Sequence, residues 1–371
     1  MNTVRRRVAV VLVALLGAGG SLVSTGPAAA APAPGFVERH ATVGLPPRLA
    51  QRATAERVQY VTTDVNGATI SATGLVLTPR GYKAKKVVGW GHGTTGLADI
   101  CAPSTNYDVF WEEGQIAIAG LLDNGWTVAA PDYAGLGSAG PHPYLIGASE
   151  GRALIDSVKA ARNLDSKLST EYVVDGYSEG GQASLFAGEL APRYDGALQL
   201  RGVVAIAPVS NVQILAPAIP AADNRGYLVM ALAGLATVDS SIDLMRLLAP
   251  PAEQQLPVLR NGCLTEILAA YDPIDEPTDF LEGGELPPAV VRKLAQWDNP
   301  GQSPPSARIL LVQGTADEAV PAFVTKDYLL PQLRRYGTVT VEYKEYPDAT
   351  HEGAVIQSVT FVDRWIAARF S

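Results

Sequence analysis

The segment Tyr172-Val-Val-Asp-Gly-Tyr-Ser-Glu-Gly-Gly181 predicts a strand, a sharp turn and the start of a helix. Residues 176–180 fit the pattern G-x-S-x-G, in which a serine on a strained strand-to-helix turn points its hydroxyl group out of a sheet. The flanking glycines let the strand and the helix pass closely, because they carry no Cβ. An ordinary glycine-rich turn gives the same letters by chance, but here strand, turn and helix follow in the required order. The sequence therefore indicates Ser178 as a nucleophile.

A reacting serine needs hydrogen-bond donors for the negative charge that develops on the substrate oxygen. A helix is predicted over residues 182–190, directly after Ser178, and the N–H group of Glu179 is the first candidate donor. A second donor is expected from Gly91-His-Gly-Thr-Thr-Gly96, a glycine-rich loop that follows an early strand. We interpret His92 as a residue that fixes this loop, because it precedes the nucleophile in the chain.

Strands alternate with helices around this segment, which predicts an α/β fold with a mostly parallel sheet covered by helices. Asn66-Gly67 between two β-branched runs predicts an antiparallel hairpin over residues 58–77. Residues 31–57 are rich in Pro and Ala and are expected to wrap the surface before the first strand. Later strands are predicted at residues 86–90, 126–131, 203–207, 308–313 and 339–346, and helices at residues 149–164, 323–335 and 355–370.

The alternation lapses over residues 208–305, which contain many prolines and no clear sheet strand. Because a structureless loop of this length is implausible in a compact domain, we predict an inserted, mainly helical cap there. The catalytic domain then comprises residues 31–207 and 306–371. An apolar stretch at residues 226–235 is expected either to fill the core of the cap or to line an acyl channel, and its substrate-binding candidates are Tyr227, Met230 and Leu232.

Serine alone is a poor nucleophile, so Ser178 needs a base within hydrogen-bond reach and an acid that holds the base. In a hydrolase with this elbow, the chain order is serine, then Asp or Glu, then His. Asp317 directly follows the strand at residues 308–313, and His351 follows the last strand, each in a loop. We therefore predict a triad of Ser178, Asp317 and His351. Four other carboxylates suit the acid role less well by order or position: Asp132, Asp175, Glu318 and Asp348.

The first thirty residues have the pattern of a secretory signal peptide. Arg5-Arg6-Arg7 precedes an apolar run at residues 8–16, and Ala28-Ala29-Ala30 offers a cleavage site before Ala31. The apolar run is too short to span a bilayer, and no later run has the pattern of a membrane span. We therefore expect a secreted chain that begins near Ala31.

Removal of residues 1–30, which carry three arginines and no acidic residue, changes the formal net charge from −8 to −11. A surface this negative repels phosphate backbones and anionic lipid headgroups. We therefore expect no nucleic-acid partner, no stable membrane insertion and at most transient contact with a lipid–water interface. The expected substrate is a neutral or apolar small molecule.

Two cysteines, Cys101 and Cys263, favour a disulfide in a secreted chain, with two free buried thiols as the alternative. A metal site is not expected, because the cysteines have no Cys or His partner at ligand spacing. The histidines are scattered along the chain, at His40, His92, His142 and His351.

From about residue 89 to its C-terminus, the chain resembles the secretory lipases, in their actinobacterial branch. The resemblance rests on six motifs: Gly91-His-Gly-Thr-Thr-Gly96, Cys101-Ala-Pro-Ser104, Ala130-Pro-Asp-Tyr-Ala-Gly-Leu-Gly137, Gly176-Tyr-Ser-Glu-Gly-Gly181, Gly262-Cys-Leu264 and Gly314-Thr-Ala-Asp-Glu-Ala-Val-Pro321. It implies an α/β-hydrolase with a helical cap and a bridge between Cys101 and Cys263. Fungal members carry an acidic residue in the oxyanion loop, where this chain has Thr-Thr-Gly. We expect Thr94 to supply the second donor, with Thr95 as the second choice.

The resemblance also implies hydrolysis of acylglycerols and simpler esters. The expected reaction is attack by the serine on an ester carbonyl, followed by hydrolysis of an acyl-enzyme, with no metal or cofactor. Two alternatives stay open: a secreted serine peptidase of the same fold, and a non-catalytic binding module. A serine-reactive fluorophosphonate probe separates the enzymes from the binding module, and paired ester and amide substrates separate the two enzymes.

Overall fold

A single mixed sheet of nine strands forms the centre of the protein in a computed structural model that describes residues 32–221 and 224–370. The strands are β1 Val37–Val43, β2 Ala53–Thr63, β3 Thr69–Pro79, β4 Val87–Gly91, β5 Thr127–Ala134, β6 Glu171–Tyr177, β7 Gln199–Ile206, β8 Arg308–Gly314 and β9 Val341–Tyr346. Their order in the sheet is β1-β2-β3-β5-β4-β6-β7-β8-β9. The pairs from β1 to β5 are antiparallel, and those from β5 to β9 are parallel. The α/β fold with a mostly parallel sheet is thus confirmed.

The beginning of the chain differs from its prediction. Residues 31–57 do not simply wrap the surface, because β1 lies within them and pairs antiparallel with β2. Five of the seven residues of β1 are exposed, including Glu38, Arg39 and His40. This edge strand therefore lacks the alternation of apolar and polar residues from which a strand is predicted. The predicted signal peptide, residues 1–30, lies outside the described residues.

Helices cover both faces of the sheet. The α-helices are α1 Pro47–Ala50, α2 Glu112–Asp123, α3 Gly147–Leu164, α4 Glu179–Tyr194, α5 Val212–Leu215, α6 Arg225–Val238, α7 Leu244–Leu247, α8 Pro250–Glu253, α9 Val258–Asn261, α10 Leu264–Tyr271, α11 Pro277–Phe280, α12 Pro288–Asp298, α13 Leu330–Arg334 and α14 His351–Phe370. A π-helix, Val324–Leu329, leads into α13. In the part of the chain that the structure describes, no helix is both long and apolar enough to cross a membrane.

The two faces of the sheet are buried in separate apolar clusters. On one face, Ile118 of α2 and Val362 of α14 pack with Val88 of β4. On the other face, Leu154 of α3 and Ala187 of α4 pack with strand residues of β4 to β8. Because both faces of β4, β6, β7 and β8 are covered, these strands carry continuous apolar runs, and that is why the sequence shows them clearly.

Residues 208–305 contain α5 to α12 and, among the described residues, contribute no strand to the sheet. Their apolar side chains form a third cluster, centred on α6 and α12, into which Tyr144, Leu145 and Ile146 of the connection between β5 and α3 also pack. The helical segment is therefore joined to the sheet by an apolar interface.

A disulfide between Cys101 and Cys263 also joins the helical segment to the sheet. It lies beside the glycine-rich loop after β4, because Gly96 forms a β-bridge with Cys263 and the N–H group of Leu264 donates to the carbonyl oxygen of Thr95 at 2.8 Å. The bridge spans 162 residues, so it constrains the unfolded chain strongly. It holds the loop after β4 against the start of α10.

We predict that the double variant Cys101→Ala/Cys263→Ala has a free energy of unfolding lower by about 3 to 5 kcal/mol, because the chain-entropy model gives roughly 5 kcal/mol for so long a loop. Denaturant unfolding of the oxidised wild type and the variant measures the difference, with the reduced wild type as control. Equal stability of the two oxidised proteins would contradict the prediction.

Two carboxyl groups lie between the sheet and α14. Asp175 is fully buried in β6 and Asp363 is half-buried in α14, where both border one small cavity. Burial, and next the negative charge of Asp123, raises the pKa of Asp363 to about 7. Burial, and next the charge of Asp363, raises the pKa of Asp175 well above its usual range. The folded protein therefore holds protons that the unfolded chain releases near pH ~4.

Stability should consequently fall as the pH rises from about 4 to 7, because the folded state binds more protons than the unfolded state over that range. We predict that Asp363→Asn, which cannot ionise, is more stable than the wild type at pH ~8 and gains less at pH ~5. Thermal unfolding at both values measures this, with exposed Asp327→Asn as the matched control. An identical effect of Asp363→Asn at both values would refute the prediction.

Candidate active site

The serine lies on a strained elbow between β6 and α4. Its φ of 58° and ψ of −115° are outside the regions that L-residues usually occupy. The elbow requires close approach of main chains: a Cβ on Gly176 would meet the carbonyl oxygen of Gly180 at 2.1 Å, and a Cβ on Gly180 would meet that of Gly91 at 2.0 Å. Glycine is therefore needed at both positions, as the pattern predicted, and Ser178 is directed away from the sheet.

The three predicted triad residues lie within hydrogen-bond distance of one another. Nε2 of His351 is 2.9 Å from Oγ of Ser178, and Nδ1 of His351 is 2.7 Å from Oδ2 of Asp317. A carboxylate only accepts, so Nδ1–H donates to Asp317 and the lone pair of Nε2 faces the serine hydroxyl. All three residues are buried. His351 is the first residue of α14 rather than a loop residue, so a helix start fixes its position.

Asp317 is held in place by four donors. Its Oδ1 accepts from the N–H groups of Ala319 at 3.0 Å and Val320 at 2.8 Å. Its Oδ2 accepts from Nε2 of Gln313 at 2.8 Å in addition to His351. Gln313 is itself buried at the end of β8, and its Oε1 accepts from Oγ1 of Thr325 at 2.7 Å. Sequence reading missed Gln313, because a single glutamine in a strand carries no motif.

The other carboxylates lie elsewhere. Asp132 accepts from N–H and Oγ of Ser104 and from Oγ1 of Thr73, so it shapes a loop. Asp175 lies toward α14 on the opposite side of the elbow, and Asp348 is exposed after β9. Glu318 lines the cavity in front of the serine, but its carboxylate has no hydrogen bond to His351 among the described residues.

The loop after β4 passes close to the serine. A Cβ on Gly93 would lie 3.6 Å from Cβ of Ser178, and Thr94 borders the same cavities as the serine. Two contacts fix Thr94: its Oγ1 lies 2.8 Å from the hydroxyl of Tyr144, and its carbonyl oxygen accepts from Nε1 of Trp111 at 3.0 Å. These two aromatic residues are part of the site that no sequence pattern indicated.

The remaining predicted loop and oxyanion residues are also placed. Glu179 is the first residue of α4, so its N–H group is among those without an acceptor inside the helix. The carbonyl oxygen of Thr95 pairs with Leu264 of the helical segment. His92 directs both ring nitrogens at the carbonyl oxygens of Gly93 and Asp132, at 2.7 and 3.4 Å.

Two cavities meet at the serine. The first has a volume of about 230 Å³ and is mainly apolar, with walls from α5, α6 and α12. The second has a volume of about 480 Å³ and carries Glu113, Asp272 and Glu352 among its lining residues. Thr94, Ser178, Tyr227 and His351 line both cavities. The proposed nucleophile and base therefore lie where an apolar arm and a more polar arm join.

The predicted substrate-binding residues of α6 divide between the cavity and the core. Tyr227 lines both cavities. Met230 and Leu232 are fully buried within the third apolar cluster and do not line the cavities that border Ser178, so the structure places them in the core of the helical segment. Leu228 and Ala231 line the apolar cavity instead. Because almost every residue of α6 is apolar, the sequence could not show which side of the helix faces the cavity.

Similarity to known proteins extends over most of the chain. The secretory lipase family model matches residues 104–371. A secreted triacylglycerol lipase of Malassezia globosa is 26% identical over 286 residues, which cover 72% of this chain and 60% of the relative. Lipase A of Arthroderma benhamiae is 22% identical, over 84% of this chain and 70% of the relative. The chain spans only 60% and 41% of the lengths of the first two curated relatives, the Malassezia globosa lipase and one of Malassezia furfur.

Solved structures share the fold at low identity. Candida antarctica lipase A in its closed state aligns with a TM-score of 0.74 at 20% identity, covering 91% of this chain and 82% of that chain. The rice cell wall degrading esterase LipA of Xanthomonas oryzae aligns with a TM-score of 0.73 at 21% identity, covering 91% of this chain and 97% of that chain. With the family match over residues 104–371, these findings confirm the resemblance seen in the sequence: the chain belongs to the secretory lipase family.

Proposed function

We propose that the chain is a secreted serine hydrolase of carboxylic esters, with acylglycerols as its main substrate class. The observation that carries this proposal is the chain of hydrogen bonds from Asp317 through His351 to Ser178, which opens at the junction of an apolar and a more polar cavity. Family membership supports the reaction class. Secretion is supported by the predicted signal peptide and by the printed names of the Malassezia relatives, which call them secreted.

The reaction begins with attack by the serine on the ester carbonyl carbon. Nε2 of His351 takes the hydroxyl proton as Oγ of Ser178 forms a bond to that carbon. Asp317 holds the imidazole in the tautomer that can accept this proton, and it stabilises the imidazolium that results. Negative charge then develops on the carbonyl oxygen, and the N–H groups of Glu179 and Thr94 donate to it.

Collapse of this intermediate releases the alcohol, which takes the proton from His351 and leaves an acyl group on Ser178. Water then enters, gives a proton to His351 and attacks the acyl carbon. The acid leaves and the serine recovers its proton. The reaction therefore needs one base that works twice, and Asp317 keeps that base in the same orientation for both steps.

The two cavities are assigned to the two halves of the ester. We place the acyl chain in the apolar cavity, because burial of each methylene group contributes about 0.8 kcal/mol. The alcohol half, which carries more oxygen atoms in an acylglycerol, is placed in the cavity with Glu113, Asp272 and Glu352. Residues 208–305 supply most of the apolar wall, which supports their proposed role as a cap over a catalytic domain of residues 31–207 and 306–371.

The two alternative functions fit the site less well. A peptidase that recognises a chain terminus needs a charged group in its binding cavity, and the cavity of about 230 Å³ beside Ser178 is mainly apolar. The carboxylates of the second cavity, Glu113, Asp272 and Glu352, would suit only an amino terminus. A non-catalytic binding module has no need of a histidine 2.9 Å from a strained serine. Paired ester and amide substrates with the same acyl group test the first alternative, and labelling by a fluorophosphonate probe tests the second.

We predict that Ser178→Ala folds but loses ester hydrolysis by about four to six orders of magnitude in kcat, because a triad without its nucleophile retains little activity. Ser184→Ala is the matched control, since Ser184 is buried in α4, the helix that follows Ser178, and its Oγ has no partner among the described residues. Rates with a p-nitrophenyl ester measure the loss. Substantial turnover by folded Ser178→Ala would remove Ser178 from its role.

We predict that Ala231→Leu shortens the preferred acyl chain, because the larger side chain fills part of the apolar cavity. Loss of space for two or three methylene groups is worth about 2 kcal/mol, or roughly a 30-fold fall in kcat/KM for laurate esters. Acetate esters should be hydrolysed at nearly the wild-type rate. Ala233→Leu, two residues along α6 and facing a different cavity, is the control. Equal losses on acetate and laurate would contradict the assignment of this cavity.

A further inference from the structure

A buried group of one histidine and two glutamates lies behind the elbow, outside the site described above. It consists of His142 in the β5–α3 connection, Glu150 in the first turn of α3 and Glu179 at the start of α4. All three are at most 2% exposed. One ligand atom from each lies within 4.8 Å of the other two, and Nε2 of His142 is 3.4 Å from Oε1 of Glu179. Ligands about 2.1 to 2.4 Å from one shared cation have this span.

Each of the three side chains has a buried atom without a hydrogen-bond partner within the described chain: Nε2 of His142, Oε2 of Glu150 and Oε1 of Glu179. The other ends of two of these side chains are fixed. Nδ1 of His142 lies 2.8 Å from the carbonyl oxygen of Ala134, which only accepts, so Nδ1 carries a hydrogen. Oε1 of Glu150 accepts from the N–H group of Leu145 at 2.7 Å. A histidine held in this way presents the lone pair of Nε2, as a metal-bound histidine does.

The neighbouring groups do not neutralise this cluster. The nearest phenols are engaged, because Tyr133 donates to the carbonyl oxygen of His92 and Tyr144 pairs with Thr94. Across residues 32–221 and 224–370, neither glutamate forms an ion pair with Lys or Arg. Two buried carboxylates thus share one imidazole, and buried charges in proteins are usually paired or bound to a cation.

We propose that His142, Glu150 and Glu179 bind a divalent transition-metal cation, and that Zn²⁺ suits this mixed set of nitrogen and oxygen donors. The 3.4 Å contact between His142 and Glu179 engages only two of the three side chains, whereas one cation contacts all three. His142 also borders a cavity of about 580 Å³ lined by Ile100, Leu259 and Arg260. The proposed ion has a structural role, which is separate from the proposed ester hydrolysis.

Such a cation would join one loop and two helix starts at a single point. It would hold the loop after β5 and the first turns of α3 and α4 together, one residue from Ser178. The sequence offers no metal motif here, because the three ligands are 8 and 29 positions apart along the chain. Binding should therefore stabilise the elbow even when no substrate is present.

The test uses the mature protein after treatment with EDTA and removal of the chelator. Calorimetric titration with ZnCl₂ should show that one ion binds per chain. In thermal unfolding, Tm should rise by about 5 °C at a Zn²⁺ concentration 100-fold above Kd. Co²⁺ in place of Zn²⁺ should give visible d–d absorption. Glu150→Gln and His142→Gln should each weaken binding at least about tenfold.

Two controls locate the ion. His40→Gln removes a histidine whose Nδ1 lies 3.1 Å from Oε2 of Glu56 on the surface, and it should bind Zn²⁺ like the wild type. His351→Gln removes the proposed catalytic base and should also retain binding. The proposal is overturned if the wild type shows neither heat nor a Tm shift, which would leave the cluster as a proton-sharing network. It is equally overturned if binding is lost in His351→Gln, or survives both Glu150→Gln and His142→Gln. The wild-type and His351→Gln measurements decide the matter even if the cluster variants do not fold.

Discussion

The contact between the main chains of Gly91 and Gly180 is the constraint on which the site depends. A side chain at Gly180 would overlap the carbonyl oxygen of Gly91, so only glycine lets α4 begin directly against the end of β4. This approach brings the loop after β4 beside Ser178 and places both proposed oxyanion donors on one side of the serine. The strained serine backbone is held by three hydrogen bonds, to Ile206, Gln182 and Val209. The geometry of the candidate site therefore follows first from the packing of main chains and only then from its side chains.

The parts of the site that the sequence predicted are those in which local sequence and fold order agree. Ser178 has a motif, Asp317 follows the buried apolar strand β8, and His351 follows β9, a half-buried strand with three charged residues. Order along the chain was therefore enough to propose all three. The parts that it missed are tertiary. Gln313, Tyr144 and Trp111 carry no motif, and each joins the site only because distant segments fold together.

The same distinction between local and tertiary signals explains which strands could be predicted. The buried parallel strands were predictable, because both of their faces are apolar. The exposed strand β1, in contrast, is extended mainly because it pairs with β2. In α6 the sequence could not separate core residues from cavity residues, for a different reason. Met230 and Leu232 belong to the core and Ala231 to the cavity, but a helix that is apolar on every side shows no periodicity that separates these surfaces. The composition identified α6 as an apolar segment, but only its packing shows which residues lie in the core and which line the cavity.

The position of His351 also sets the order in which the proposed triad can assemble. Ser178 and Asp317 lie on elements that precede α14, and the proposed base is the first residue of that last helix. A growing chain can therefore form the elbow and most of the sheet while it still lacks its base. α14 must then dock against α2 and the sheet, where Val355 and Val362 pack. A chain cut short before this helix would keep the proposed nucleophile but lack the proposed base, so the proposed hydrolysis would have to await completion of synthesis.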